Sequence, residues 1–91
     1  MSNEIKAYLE KGAVVLDVRT KGEWDAGHST GAKHIVLNLV PVKLDEIKSW
    51  NKPVIAVCLS GGRSGQATQF LKNNGVDVIN GGPWQNVDQY L

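Results

Sequence analysis

The 91 residues, 42% hydrophobic and 21% charged, allow one domain (residues 1–91) with a modest core and leave no room for a second module. Ten Lys and Arg against nine Asp and Glu give a formal net charge of +1, which excludes a basic nucleic-acid footprint and a polybasic membrane face. The lone cysteine excludes an internal disulfide, no Cys and His cluster has zinc spacing, and no apolar run approaches the roughly 18 residues of a spanning helix.

In chain order, Ser2 or Asn3 can cap a first helix in which Ile5, Tyr8 and Leu9 share a face and Gly12 provides the stop. This polar start has no apolar stretch resembling a signal peptide. The sequence therefore reads as cytoplasmic, although a periplasmic chain with its signal removed would look the same. Ala13 to Val18 reads as a strand apolar on both faces, as in a covered parallel sheet. Thr20 can cap a short helix over Lys21 to Asp25, with Glu23 as the capping-box partner. Ile35 to Leu39 reads as a second strand ended by Pro41, which cannot donate to a sheet ladder.

Leu44, Ile47 and Trp50 then have helical spacing over Lys43 to Trp50. Pro53 to Val57 is a buried-type strand that delivers Cys58. A tight loop follows, and Ser64 to Asn74 reads as a helix closed by Gly75. Val76 to Asn80 reads as the last strand. Gly81 and Gly82 make a turn, and Pro83 opens a closing helix through Leu91. Alternating strands and helices predict an α/β fold, three-layered, with a mainly parallel central sheet and helices on both faces. In such sheets ligands bind beyond the carboxyl ends of the strands, where Cys58 sits.

The stretch that carries chemistry is Cys58-Leu59-Ser60-Gly61-Gly62-Arg63-Ser64. Its two glycines let consecutive backbone N–H groups turn inward as an anion-binding nest. The helix amino end adds unsatisfied N–H groups and partial positive charge, and Arg63 adds a full charge with a planar fork of donors. A thiol placed there is stabilised as thiolate, so Cys58 reads as a nucleophile. The competing reading is a small buried hydrophobe ending a strand. That role would require neither the nest nor the arginine.

Four pieces together resemble the single-domain rhodanese-like family. They are Leu16-Asp17-Val18-Arg19 with Glu23-Trp24; Gly27-His28 with Gly31-Ala32; the Cys58 to Ser64 loop; and Gly75-Val76 through Ile79-Asn80-Gly81-Gly82 to Trp84. The sequence departs from the family at Ser29, where isoleucine is usual, and at Val36, where proline is common.

The resemblance implies a sulfurtransferase that needs no cofactor or metal. Cys58 would take sulfur from a donor such as thiosulfate, carry it as a persulfide and pass it to cyanide or a thiol, a thioredoxin-like dithiol protein included. Leu59, Ser60, Gly61, Gly62, Arg63 and Ser64 would form the anion cradle, with Arg63 orienting the donor. Asp17, Arg19, Glu23 and His28 would be structural support, with substrate contact by Arg19 the remaining reading and His28 bonding backbone; the four-residue spacing from Arg19 to Glu23 itself suggests that the two pair. His34 reads as a surface residue, and Trp24, Trp50 and Trp84 as core or rim aromatics. Two alternatives stay open: a docking module that keeps the fold without the chemistry, and a cysteine-dependent phosphatase. Related phosphatases place five residues between cysteine and arginine, whereas four lie between Cys58 and Arg63.

Overall fold

A computed structural model describes residues 3–91, so the Ser2 capping expectation lies outside the described residues. The elements are α1 (Glu4–Glu10), β1 (Val14–Asp17), α2 (Lys21–Ala26), β2 (Lys33–His34), a 3-10 turn (Leu37–Leu39), α3 (Leu44–Ser49), β3 (Val54–Cys58), α4 (Gly62–Asn73), β4 (Val78–Pro83) and α5 (Trp84–Asp88). The four strands form one parallel sheet in the order β2-β1-β3-β4.

Alternation along the strands divides the core into two layers. Leu16, Val18, Val54, Ala56 and Cys58 face Ile47 of α3 and Ala67 and Leu71 of α4. Val15, Ile55, Val57 and Ile79 face the other way, toward Ile5, Tyr8 and Leu9 of α1 and Val87 of α5. Helices therefore cover both faces. Every residue of β3 is fully buried, and each such Val or Ile contributes about 1.5–3 kcal/mol through lost apolar exposure. From β1 the chain first moves outward to β2, then crosses back to β3 on β1's other side. The connections diverge between β1 and β3, which makes the carboxyl ends of those strands the natural crevice.

Local signals account for several boundaries. Thr20 and Glu23 form a reciprocal capping box, which starts α2 where the sequence predicts. Gly12 and Gly75 take positive φ (82° and 84°) just beyond α1 and α4, a conformation that stops a helix at little cost for glycine. At α1, Asn3 precedes the helix but makes no side-chain cap hydrogen bond.

Four expectations need correction. Ile35 to Leu39 is not a strand. β2 is only Lys33–His34, and the apolar run turns into the 3-10 segment because β1 ends at Asp17. Its last hydrogen bonds run from Ile35 N–H to the Asp17 carbonyl and from Leu37 N–H to the Val18 carbonyl, after which no neighbouring strand remains. Next, α4 starts at Gly62, two residues before Ser64, so part of the expected loop is the helix's first turn.

β4 is Val78–Pro83, and the glycine pair lies inside it rather than in a turn. Between Ala56↔Asn80 and Val57↔Gly82 the register skips Gly81, a bulge. A Cβ at Gly81 would lie 2.7 Å from Ile55 Cγ2, so only glycine lets the bulge sit against the core. Lastly, α5 ends at Asp88, and Pro83 precedes the helix instead of opening it.

Candidate active site

β3 ends on Cys58, and the chain then turns through Leu59 and Ser60 to Gly61. Gly61 has φ 109°, left-handed backbone that disfavours any side chain. A Cβ there would meet Gly82 Cα at an ordinary 3.5 Å, so conformation, not crowding, calls for glycine. That turn aims the Gly61 N–H back at the cysteine, 2.9 Å from Sγ. The Ser64 hydroxyl, buried in the first turn of α4, lies 3.3 Å from the same sulfur.

Burial pushes the Cys58 thiol up. The Ser64 side chain and the backbone N–H groups of Ser64, Gly61 and Ser60 overcome it and hold the thiol below its ordinary value. The hydrogen bonds reaching the sulfur thus come from Gly61 and Ser64 within the predicted cradle. Leu59 instead turns its side chain out, 56% exposed beside the nucleophile position.

Arg63 is placed differently from the sequence expectation. Its Nη1 and Nη2 grip Glu23 Oε1 and Oε2 at 2.6 and 2.9 Å, a bidentate pair joining α4 to α2. Thr20 supports Glu23 from below, its N–H and hydroxyl each 3.1 Å from Oε1. Arg63 first and Thr20 second pull the Glu23 carboxyl down to about 2. The Arg63 fork is therefore closed on a carboxylate. Nε and the outer hydrogens of Nη1 and Nη2 are the donors it has left to offer an anion.

The expected Glu23–Arg19 ion pair is overturned. Arg19 is buried at 3% exposure and its guanidinium bonds both Asp17 oxygens, Nη2 to Oδ2 at 2.6 Å. The Asp17 carboxylate is already behind Arg19 in the strand and out of water, which favours it over the half-exposed Glu23. The remaining donors reach backbone: Nη1 to the Glu23 carbonyl at 3.3 Å and Nη2 to the Gly27 carbonyl at 2.7 Å. Trp84 covers the guanidinium at 5.1 Å. Arg19 thereby ties β1, α2 and the turn at Gly27 together.

His28 Nδ1 lies 2.8 Å from the Trp24 carbonyl oxygen, and its ring stacks on the Trp24 indole at 3.5 Å. His34, expected at the surface, is half-buried. Its Nε2 lies 2.8 Å from the Arg19 carbonyl oxygen, and its ring stacks 4.7 Å from Trp24, because β2 brings it back against the end of β1. Among the described residues, no group of three or more His, Cys, Asp or Glu could hold a metal ion, and no helix is long and apolar enough to cross a membrane.

Sequence reasoning missed two residues here. Asn80 bonds the Ser64 hydroxyl from β4 at 2.6 Å. The available signal was a carboxamide ending an apolar run at the carboxyl edge of the sheet. Ser29 is buried at 1% exposure, and its hydroxyl is the buried side-chain polar atom without a partner among the described residues. The isoleucine-to-serine departure was its signal.

A family model described as Rhodanese-like domain matches residues 1–83. The chain is 40% identical over 76 residues to the uncharacterized protein YqhL of Bacillus subtilis, covering 84% of this chain and 59% of that protein. It thus spans less than two thirds of that relative's length. It is 36% identical over 74 residues to the thiosulfate sulfurtransferase GlpE of Pseudomonas fluorescens, covering 81% of this chain and 67% of GlpE. The crystal structure of a rhodanese-like domain protein from Staphylococcus aureus aligns with a TM-score of 0.73 at 30% identity, covering 94% of this chain and 85% of that one.

Proposed function

The chain belongs to the rhodanese-like domain family, and from that premise we propose that it is a sulfurtransferase working through a persulfide on Cys58. Sulfurtransferase-type chemistry is supported at the family level by the rhodanese-like match and by the likeness to GlpE. The observation that carries the finer reading is the sulfur at the floor of the loop, facing the Gly61 N–H at 2.9 Å and the Ser64 hydroxyl at 3.3 Å.

In the proposed cycle the Cys58 thiolate attacks the outer sulfur of thiosulfate. The new Cys58 S–S bond forms as the donor's S–S bond breaks, and sulfite leaves with the electron pair. The persulfide anion remains beside the same N–H groups that held the thiolate. Cyanide or a thiol then attacks the outer sulfur, carries it away, and returns Cys58 as thiolate. Asp17, Arg19 and His28 hold the loops, and Glu23 holds Arg63. The exposed Leu59 beside the nucleophile suits an acceptor as large as a dithiol protein.

A phosphatase would turn the Arg63 guanidinium on phosphoryl oxygens, and the engagement of its Nη1 and Nη2 by Glu23 weighs against that reading. The test is turnover of thiosulfate with cyanide, measured beside aryl phosphate hydrolysis. Thiocyanate formation abolished by Cys58→Ser supports the proposal. Phosphate release instead, or thiocyanate formed equally well by Cys58→Ser, overturns it.

A further inference from the structure

The Asn80 carboxamide reaches the cradle in three ways. Its Oδ1 accepts from the Ser64 hydroxyl at 2.6 Å and from the Gly82 N–H at 2.9 Å, and its Nδ2 donates to the Gly61 carbonyl at 3.1 Å. These bonds fix which way the amide faces, because only its oxygen accepts and only its nitrogen donates. Gly65 leaves it room: a Cβ there would come 3.3 Å from Asn80 Nδ2.

A hydroxyl has one proton to give. Ser64 Oγ lies between Asn80 Oδ1 at 2.6 Å and Cys58 Sγ at 3.3 Å, so its proton serves the amide or the sulfur and not both. With Cys58 a thiol, S–H donates to Ser64 and Ser64 donates on to Asn80. With Cys58 a thiolate, the sulfur has no proton to give and the Ser64 O–H must turn toward it. Asn80 Oδ1 is then left with Gly82 alone.

We propose that Asn80 is a positioning residue that draws the Ser64 proton away from Cys58 in the resting thiol and yields it when the thiolate forms. It acts on the sulfur through Ser64. The inference rests on Cys58 being the nucleophile, but its test follows only the thiol–thiolate equilibrium. The charged groups around the sulfur are Arg63 on α4, Glu23 on α2, and Asp17 with Arg19 at the end of β1. On the β4 and α1 side, Glu4 shares the open cleft that Asn80 lines. All of them stay in place in the variants below.

The experiment is the rate of Cys58 alkylation by iodoacetamide from pH 5 to 9, since the thiolate is the reacting form. It compares wild type, Asn80→Ala, Ser64→Ala and the double variant. Asn80→Ala should react about three- to tenfold faster at pH 6, the worth of one neutral hydrogen bond returned to the sulfur. Ser64→Ala should react more slowly, and the double variant should match Ser64→Ala. If Asn80 were only a tether for the Gly61 carbonyl, its loss would slacken the loop and slow the reaction. A rate at pH 6 equal to or below wild type, or independent effects in the double variant, overturns the proposal. Asn80→Asp, which keeps the acceptor, should not accelerate alkylation, and acceleration there overturns it too. Thermal unfolding of the same samples checks that each variant keeps its fold, the buried Ser64 substitution as well as the exposed Asn80 one. If wild type gains no sulfur from thiosulfate while this alkylation pattern holds, the sulfurtransferase reading fails and the role of Asn80 stands.

Discussion

Gly81 carries the most demanding packing in the sheet, and alanine is the smallest probe of it. The added Cβ would lie 2.7 Å from Ile55 Cγ2, 3.0 Å from Val57 Cγ1 and 3.1 Å from Val87 Cγ2. Carbon atoms rest at about 3.5–4.0 Å, so the closest contact falls short by nearly an ångström. All three neighbours have 0% exposure and cannot swing into solvent.

One methyl forced into such a core costs ~1–3 kcal/mol, and three simultaneous contacts put Gly81→Ala near 3 kcal/mol. The sign is diagnostic. The φ of Gly81 lies outside the left-handed range, so without the crowding alanine would stabilise by about 0.4–1 kcal/mol through the unfolded chain. Urea unfolding followed by far-UV circular dichroism should show a lower midpoint with an unchanged slope. Val87→Ala removes one of the three contacts, so the double variant should lose less than the sum of the single losses. Because Gly81 is the bulge residue between Asn80 and Gly82, the same variant should also disturb the Asn80 bonds to Ser64 and Gly61. A midpoint at or above wild type would refute the packing argument.

Three further predictions rest on other contacts. Ser29→Ala removes a buried hydroxyl without a partner and should raise stability by about 1 kcal/mol in thermal unfolding; a lower Tm contradicts this. Tyr8 donates to Asp77 Oδ1 at 2.5 Å, and that bond, then burial, pushes its hydroxyl up to about 12. Its folded value is raised, so the contribution is full below about 10 and is lost as pH rises through 12. Urea midpoints should fall across that window in wild type, and Tyr8→Phe should lose the dependence. Glu23→Gln keeps Oε1 for Thr20 and for Arg63 Nη1 but removes the charge and the Oε2–Nη2 bond, loosening the Arg63 fork, so KM for thiosulfate should fall roughly two- to fivefold. An unchanged or higher KM would mean that freeing Arg63 does not help anionic donors.

What the sequence revealed was mostly local. The Thr20–Glu23 capping box lies within one turn, and the short, β-branched, uniformly apolar β3 reads as a strand covered on both faces. The Cys58 loop was legible because glycines, arginine and cysteine are contiguous. Partnerships across the chain were not. Arg63 meets Glu23 over a separation of 40 residues, and Ser64 meets Asn80 over 16. Spacing could pair Glu23 with Arg19 on one helix face, but it could not show that Asp17 already held Arg19. The glycine pair read as a turn because a bulge depends on the facing strand. Likewise, nothing in the apolar run Ile35 to Leu39 shows that β1 ends before it.

The central claim is that Cys58 carries the transferred sulfur. Intact-mass spectrometry before and after incubation with thiosulfate tests it most directly, on wild type and on Cys58→Ser. The account predicts a gain of one sulfur atom in the wild type, reversed by cyanide and absent from the variant. A wild-type mass unchanged by thiosulfate, or the same gain in Cys58→Ser, would contradict it.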